Sequence, residues 1–491
     1  MTRHISFNAF TNVLQTVLAA ASGLATMPIL VARFGDETYG LWTLVVATTG
    51  YFAALDLGVP AAAGRLFAGN RDHINSVNGI FFTAFGLLCG IFLTVCLLTV
   101  IASFVFFGTF PVPLSQQADV RCALLIMGGG VALSIPLALF ESFLWGLERF
   151  DLHNVVEIAV VLVRLLLIVF LIESDSTLIE LALIVTGTAI GGGLIRAGLC
   201  WMLEPRIVLH WRNFSIKVLK EVSAFSRWFA VLSAFRALSQ NIPIFVIGNT
   251  LGAVAVTTFT IPRLLIMYGG LIVASAMGAI APRVAILHFA KRSGEQRELF
   301  LLAGYYCLAL SYYFAGGFVF FGLSFLQIWQ PTQQAHEEYA LLLILVAGEL
   351  LPMSQRSAHA AILNMGKHRR LALYGAAELV VIAVLAFVLA QPYGLTGVCV
   401  AAAISNLFFR GILELSYGCR LVGVKLPSYI GAVFLPVSGA ALLSFTLFWL
   451  VGLSQVNSWL ELLSAGGIYT LIYWTVLGPW LLSHFKRPSP A

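Results

Sequence analysis

The fold is decided by residues 8–65, which read NAFTNVLQTVLAAASGLATMPILVARFGDETYGLWTLVVATTGYFAALDLGVPAAAGR. This stretch predicts two membrane-length helices joined by a short polar turn. At about 100° per residue, five polar residues lie within roughly 40° of one line along the first helix: Asn8, Asn12, Gln15, Ser22 and Thr26. An unpaired polar group in hydrocarbon costs about 2–7 kcal/mol, so we expect this polar stripe to face a partner helix or a water-filled cavity.

The composition is that of a polytopic membrane protein. The 491 residues are 60% hydrophobic and 10% charged, whereas soluble domains carry about 25% charged residues. The seven cysteines show no paired spacing and the nine histidines no ligand spacing, so we expect neither a metal site nor a disulfide framework. The sequence has no nucleotide-binding loop, nucleophile elbow or zinc motif, and we therefore expect no cofactor, no catalytic residue and no ATP-driven step.

Hydropathy and turn residues predict an all-α protein with about fourteen spans. The first span is interpreted as a retained helix and not a cleaved signal peptide, because its apolar run continues past Ser22 through Pro28 to Val31. The predicted spans are about 8–33, 41–66, 79–107, 120–146, 155–172, 178–203, 221–248, 253–287, 298–326, 338–365, 371–391, 395–418, 428–452 and 459–483.

The basic residues predict the orientation of these spans. One set of turns, together with the two termini, holds eighteen lysines and arginines, whereas the opposite set holds only Arg33 and Arg121. By the positive-inside rule both termini are cytoplasmic. The net charge of +6 is thereby explained by topology and needs no nucleic-acid partner.

An internal repeat predicts how the spans are grouped. Pro28-Ile29-Leu30-Val31 in span one resembles Pro243-Ile244-Phe245-Val246 in span seven, and the same offset places Ser223, Arg227 and Asn241 on the counterpart of the polar stripe. We therefore expect two pseudo-symmetric six-helix lobes that rock against each other, plus two extra helices. The predicted domains are 1–218 (spans 1–6), 219–427 (spans 7–12) and 428–491 (spans 13–14 and a cytoplasmic tail).

The remaining eight basic residues fall inside predicted spans, and all are arginines: Arg164, Arg196, Arg227, Arg236, Arg263, Arg283, Arg356 and Arg410. Each would cost about 2.5–3.5 kcal/mol at the centre of a lipid-facing helix, so the set implies compensating partners or a water-filled interior. Arginine is suited to bidentate recognition of phosphate and stays charged in any site. An excess of embedded arginines over acids favours an anionic, phosphate-bearing cargo.

Several embedded charges fit more than one role. Arg410 and Glu414, spaced i,i+4, fit an intrahelical ion pair as well as a cavity lining. Arg356 lies seven residues from Glu349 on the same helix face, which fits a polar lane. Asp56, Glu141, Glu349 and Glu378 are further acids inside predicted spans. Of these we take Asp56 and Glu349 as candidates for coupling to H⁺ or Na⁺, although each would serve equally to neutralise an arginine.

A set of residues in the opening hairpin carries a family resemblance: Asn8, Pro28, Gly35, Tyr39-Gly40-Leu41-Trp42, Tyr51, Leu55-Asp56-Leu57-Gly58 and Arg65. The hairpin resembles the N-terminus of the polysaccharide-biosynthesis flippases, whose superfamily also contains multidrug and toxin extruders and lipid II flippases. The resemblance is sharp over about sixty residues. Beyond them it rests on the fourteen spans and the two-lobe plan.

The resemblance implies translocation of an undecaprenyl-diphosphate-linked oligosaccharide from the cytoplasmic to the periplasmic leaflet of the cell inner membrane. It also implies a cavity lined by spans 1, 2, 7 and 8. We expect its cationic lining to be Arg65, Arg227, Arg263, Arg283, Arg356 and Arg410. We expect its polar lining to be Asn8, Asn12, Gln15, Thr26, Ser223 and Asn241. The implied partners are the lipid-linked oligosaccharide, the bilayer, a polysaccharide polymerase and other assembly proteins.

Two other functions make different predictions. A cation-coupled multidrug antiporter of the same superfamily should carry acids on its lining helices, and on spans one and two only Asp56 qualifies. An oligosaccharide polymerase or ligase should carry a long outer loop with catalytic basic residues. The predicted outer turn at residues 327–337, one of the two longest, has no lysine or arginine. Transport of an anionic cargo is the better prediction.

Overall fold

A computed structural model describes residues 2–71, 73–208, 210–277, 283–284, 286–287, 290–330, 334–365, 367–453 and 456–485. These residues contain helices and no strand, so the predicted all-α polytopic membrane fold is confirmed. The chain forms two compact units, Met1–Thr257 and Thr258–Ala491. Grouping by contacts does not test the boundary predicted at residue 218 from the repeat, and the two-lobe plan stays a prediction.

The helices up to the unit boundary are α1 Thr2–Ala53, α2 Val59–Gly69, α3 Ile74–Thr109, α4 Gln117–Gly146, α5 Phe150–Leu171, α6 Leu178–Leu203, α7 Ile216–Thr250 and α8 Ala253–Met277, which continues past that boundary. The later helices are α9 Ser293–Trp329, α10 Ala335–Ser354, α11 Arg356–Asn364, α12 His368–Ser405, α13 Glu414–Val422, α14 Leu426–Tyr429, α15 Leu435–Val451 and α16 Trp459–Phe485. Two π-helical segments, Asn406–Leu413 and Ile430–Phe434, precede α13 and α15.

By length and composition, eleven segments of the described residues can cross a membrane. The two longest, Leu14–Gly69 and Arg369–Val422, have 56 and 54 residues, so each is about 80 Å long and exceeds twice the thickness of a hydrocarbon core of about 30 Å. Both turn at a glycine in the left-handed region, Gly35 (φ 79°) and Gly394 (φ 56°). Other residues adopt this conformation at a cost, so these two glycines permit the turns predicted after spans one and eleven.

The predicted tenth span is a broken helix. Residues 335–364 form α10 and α11, which are separated at Gln355, and Pro352 lies in the last turn of α10. Proline removes one backbone donor and clashes with the preceding turn, which accounts for the break. Nine single segments, two doubly crossing segments and this broken helix together correspond to the fourteen predicted spans.

The interior of the first unit is built on aromatic side chains where α2, α3 and α4 meet. The Phe67 and Phe143 rings pack edge to face with centroids 5.1 Å apart, and Phe81 lies 5.3 Å from Phe140. All four side chains are buried, with Phe81 fully inaccessible. Aromatic pairs of this kind add about 0.5–1.5 kcal/mol each to the stability gained by burial.

Arg33, one of the two basic residues assigned to the outer side, caps a helix. Its guanidinium donates to the carbonyl oxygens of Val169 at 3.0 Å and Ile168 at 3.2 Å, and also to that of Ile172. These carbonyls belong to the C-terminal end of α5, where the helix dipole is negative and the last carbonyl groups lack helical donors. The Ile168 carbonyl also accepts a hydrogen bond from the backbone N–H of Ile172. The guanidinium of Arg33 therefore finds hydrogen-bond acceptors within the first unit.

In the second unit, tyrosine hydroxyls join α9 to the last helices. Tyr473 donates to the Ala309 carbonyl at 2.6 Å, and Tyr469 donates to the Tyr313 carbonyl at 2.8 Å. Tyr305 donates to the Ala432 carbonyl at 2.7 Å. In a medium without water a tyrosine must find such an acceptor, so these bonds fix α16 and the π-helical segment before α15 against α9.

The packing of α1 against the start of α8 makes a stability prediction. A Cβ atom on Gly40 would lie 1.9 Å from the carbonyl oxygen of Ala253, whereas one on Gly86 would meet no atom within 4 Å. Gly40→Val should therefore destabilise the protein by about 1–3 kcal/mol or more, and Gly86→Val should not. Thermal unfolding in detergent, monitored by size-exclusion chromatography, measures the stability of both variants. Equal melting temperatures for the two variants would show that the helices do not approach this closely.

Candidate functional site

The predicted cationic lining is distributed over both units. Arg65 is an exposed residue of α2, and Arg283 is exposed in the second unit. Arg263 is partly buried and follows Pro262 in α8. The side chain of Arg227 lies outside the described residues, as does that of Asn8. The assignment of these arginines to a cargo site stays a prediction.

Some residues of the polar stripe form hydrogen bonds within their own helix, and others are exposed. Asn12 is exposed and Gln15 is partly buried, while Thr26 donates to the carbonyl of Ser22 at 2.7 Å within its own helix. In α7, Ser223 is exposed. Asn241 lies beside Gly50, whose Cβ would be 3.9 Å from the amide nitrogen of Asn241. The stripe residues Asn12 and Ser223 thus remain accessible within the first unit.

Asp56 has a structural role that the sequence did not reveal. Residues 54–56 form a short 3₁₀ turn, after which Leu57 and Gly58 adopt left-handed conformations. The Asp56 carboxylate accepts a hydrogen bond of 2.8 Å from the backbone N–H of Gly58. The predicted second span is therefore broken here, and Asp56 stabilises the break. Its predicted role in ion coupling stays open.

Arg356 packs against the face of α8 that carries Arg263. Gly270 is seven residues after Arg263, so both lie on one face, about 10 Å apart along the axis. A Cβ on Gly270 would lie 3.7 Å from a terminal guanidinium nitrogen of Arg356, and the Nε of Arg356 is buried without a hydrogen-bond partner. Two predicted lining arginines are thus brought to one side of this helix in the second unit.

Arg410 lies in a polar network buried in the second unit. Its guanidinium pairs with the carboxylate of Glu378 at 2.7 Å, and both side chains are nearly inaccessible. The two residues lie on the two arms of the long helical segment that turns at Gly394. The pair therefore holds this hairpin together and matches the charge of Arg410 without any cargo.

The break at Gln355 is part of the same network. The side-chain amide of Gln355 donates to the Arg410 carbonyl and to the Glu414 carboxylate, the latter at 3.2 Å. The Nδ1 atom of His359 lies 3.1 Å from the same carboxylate. Glu349 accepts a hydrogen bond from the side-chain amide of Asn406. Side chains thus stabilise the irregular backbone at Gln355 and in the π-helical segment.

A second charged group lies in the first unit, where α4, α5 and α6 meet. Arg196 pairs with Glu157, and the Nε of Arg164 donates to the Thr188 hydroxyl at 3.0 Å. Glu141 and Glu157 line the same cavity. From the sequence, Arg164 and Arg196 were identified only as embedded arginines and Glu141 only as an embedded acid, while Glu157 was not singled out. The signal was present: His153, Glu157 and Arg164 fall within about 40° of each other around α5.

A metal site is not suggested by the described part of the chain. Among these residues, no three histidine, cysteine, aspartate or glutamate side chains are placed so that they could hold one ion. The seven cysteines are free thiols. The chemistry that the charged groups can perform is therefore ion pairing, hydrogen bonding and proton exchange.

The ion pair of Arg410 gives a prediction on stability. Arg410→Ala leaves the Glu378 carboxylate buried without its cation, which should destabilise the protein by about 3–5 kcal/mol. Replacing both, as Arg410→Met with Glu378→Leu, should recover most of this loss because the uncompensated charge is removed as well. Unfolding midpoints of the wild type, both single variants and the double variant measure the coupling. Additive effects would contradict a direct pair.

One protein family and one named relative match this chain over most of the first unit or beyond it. The profile of the family described as polysaccharide biosynthesis protein matches residues 6–288. A Shigella flexneri protein named "Putative O-antigen transporter" is 23% identical over 413 residues, covering 84% of this chain and 96% of that protein. The identity is low, but the aligned region spans nearly the whole of the relative.

Two solved transporter structures share this fold. The inward-closed structure of the lipid II flippase MurJ superimposes with a TM-score of 0.71 at 12% identity, covering 97% of this chain and 99% of that one. An inward-facing multidrug resistance transporter of the MATE family, in the MOP superfamily, gives a TM-score of 0.68 at 14% identity, with coverages of 85% and 94%. At such identities the likeness concerns the fold alone. Because the family profile covers more than half of the sequence, this chain belongs to the polysaccharide biosynthesis protein family.

Proposed function

We propose that the protein is a flippase for surface polysaccharide synthesis. It would carry an undecaprenyl-diphosphate-linked oligosaccharide repeat unit from the cytoplasmic to the periplasmic leaflet of the inner membrane. Membership of the polysaccharide biosynthesis family supports this, as does the naming of the Shigella flexneri relative as an O-antigen transporter. The prediction of a transporter and not an enzyme agrees with the names of these relatives and of the MurJ flippase.

The observation that carries the proposal is the excess of arginine on the helices expected to line the cavity. Spans 1, 2, 7 and 8 include Arg65, Arg227, Arg263 and Arg283. The embedded acid of spans one and two, Asp56, is engaged in the turn at residues 54–58. Arginine binds the two charges of a diphosphate bidentately, so such a lining favours this headgroup over a cation.

The buried network narrows the set of candidate cargo ligands. Arg410 is paired with Glu378 and has little accessible surface, which favours a role in holding the α12 hairpin. Arg356 keeps a buried guanidinium nitrogen without a hydrogen-bond partner, and it lies on the side of α8 that carries Arg263. We therefore favour Arg263 and Arg356 over Arg410 as ligands in the second unit, with Arg65 and Arg227 as ligands from the first.

Alternating access would operate as follows in this proposal. The inward-open state admits the diphosphate-sugar headgroup onto the arginines while the polyprenyl tail stays in lipid. Closure and outward opening then release the headgroup, and H⁺ or Na⁺ antiport or the membrane potential resets the carrier. One elementary charge moved through 100 mV supplies about 2.3 kcal/mol, which is a useful bias for an anionic headgroup. A polymerase and other assembly proteins would receive the product.

The resemblance to multidrug transporters gives a second candidate, a cation-coupled antiporter. Its support is the TM-score of 0.68 to the MATE-family structure. Such a carrier must neutralise a cationic drug in its cavity, which needs accessible acids. In spans one, two, seven and eight arginines outnumber acids, and the acids are Asp56 and Glu221. The flippase therefore explains more of the sequence.

A reconstituted transport assay tests the proposal. Wild-type protein in vesicles should expose a fluorescent undecaprenyl-diphosphate sugar on the opposite leaflet faster than protein-free vesicles. Arg227→Ala should slow exposure by about 10–100-fold, because a hydrogen bond to a charged group contributes about 1.5–3 kcal/mol. Arg227→Lys should be intermediate, because the charge remains and the bidentate geometry is lost.

A matched control is Arg121→Ala, because Arg121 is an exposed residue stacked 4.8 Å from the centre of the Phe107 ring. This variant should transport as the wild type does. Wild-type protein that exposes no lipid would overturn the proposed function. Normal transport by Arg227→Ala would instead show that Arg227 is not a ligand of the headgroup.

A further inference from the structure

A polar cavity lies within the first unit, between α4, α5 and α6, and the proposed transport cycle does not use it. Its volume is about 260 Å³, and its polar lining consists of Ser134, Glu141, Glu157, Arg164 and Arg196. This space is enough for several water molecules, each of which occupies about 30 Å³ in the liquid. Polar residues around a space of this size indicate bound water and not an empty void.

Two buried polar atoms of the cavity region have no protein partner. Arg196 is only 8% exposed, and although its terminal nitrogen pairs with Glu157, its Nε has no acceptor. The Nδ1 of His153 is also buried without a partner, and it lies 3.8 Å from a carboxylate oxygen of Glu141. This distance is too long for a direct hydrogen bond, and one bridging water would satisfy both groups.

Glu141 differs from its neighbours in how its charge is compensated. Arg196 is committed to Glu157, and the Nε of Arg164 donates to Thr188. The group at ion-pair distance from Glu141 is His153, which can be neutral or charged. Two arginines and two glutamates line the cavity, so its formal charge is zero when Glu141 is ionised and +1 when Glu141 carries a proton. Glu141 is therefore the carboxylate whose charge can change without breaking an arginine pair.

Among the described residues, the charged and titratable groups that line the cavity with Glu141 or lie beside its carboxylate come from α5 and α6. They are His153, Glu157 and Arg164 from α5 and Arg196 from α6. Helix α1 also packs here, and its Thr11 hydroxyl accepts a hydrogen bond from the side-chain amide of Asn154 at 3.0 Å. This environment is polar and mixed in charge, and it suits a group that alternates between two protonation states.

The positions of these groups form a path from the membrane boundary inward. His153 is in the first turn of α5, and Glu141 lies about 7 Å before the end of α4. Arg164 is about 16 Å farther along α5 than His153. The predicted topology places the turn between α4 and α5 on the cytoplasmic side, so His153 would be the group closer to cytoplasmic water.

We propose that Glu141 is a proton-exchange site of the transporter and that His153 supplies its proton. The imidazole takes a proton from cytoplasmic water at Nε2 and releases the one on Nδ1 through a bridging water to the Glu141 carboxylate. The N–H bond at Nδ1 breaks and the O–H bond of the carboxyl group forms, so one proton is moved and the imidazole is neutral again with its proton on Nε2. Proton exchange with water restores the Nδ1–H tautomer before the next transfer. The coupling of this proton to lipid movement rests on the proposed flippase function, whereas the proton binding itself does not.

Infrared difference spectroscopy of the purified protein during a pH titration tests the proton binding without any lipid substrate. Acidification should produce the carbonyl band of a protonated buried carboxyl group in the wild type. Glu141→Gln should lack this band, and Glu141→Asp should retain it at a shifted position. Glu180→Gln is the matched control, because Glu180 is an exposed residue in the first turn of α6. An undiminished band in Glu141→Gln would overturn the proposal.

Proton movement in vesicles tests the coupling. With fluorescent undecaprenyl-diphosphate sugar present, wild-type protein should move protons, as reported by an entrapped pH-sensitive dye, and Glu180→Gln should do the same. In Glu141→Gln, proton movement and acceleration of flipping by a pH gradient should be lost, while flipping without a gradient continues. His153→Gln should slow proton movement without abolishing the infrared band.

Flipping by Glu141→Gln that still responds fully to the gradient would overturn the coupling. A wild type that shows the infrared band but flips no lipid would instead count against the proposed function alone. A size-exclusion profile that matches the wild type shows for each variant that the protein is folded.

Discussion

Hydrocarbon cannot solvate a charge or an unpaired backbone group, and the structure depends on this constraint throughout. Arg33 shows it at a helix end, where the guanidinium donates to three carbonyls at the C-terminal end of α5. Arg410 and Arg196 show it inside the helices, where each pairs with a glutamate of a neighbouring segment. These two ion pairs therefore each join two helical segments.

The same constraint separates structural charges from those available for function. The charges of Arg410 and Glu378 compensate each other. Removing this pair should therefore affect stability more than transport. Glu141, in contrast, lies next to a histidine and a polar cavity of about 260 Å³. An arginine-rich lining for an anionic headgroup and a separate exchangeable proton would together provide binding and energy coupling. This division of roles is the main functional idea that the structure adds to the family membership.

Much of the fold could be predicted from the sequence, because spans are set by hydropathy over about twenty residues and turns by local chemistry. The turns at Gly35 and Gly394 fall where spans one and two, and eleven and twelve, were predicted to part. The breaks at residues 54–58 and at Gln355 were not predicted, because a continuous apolar run conceals an interruption that side chains stabilise. The partner of Arg410 could not be predicted either. Glu414 is close in sequence, whereas pairing with Glu378 depends on how the two arms of α12 fold back.

The central claim is that the cargo is a lipid-linked anion, and cargo discrimination by one preparation of wild-type protein tests it most directly. Vesicles with the reconstituted protein would be given a fluorescent undecaprenyl-diphosphate sugar and, separately, a cationic dye under the same ion gradients. The account predicts that the lipid changes leaflet and that the dye is not transported. Transport of the dye with no movement of the lipid would contradict the account and would identify the protein as a cation antiporter.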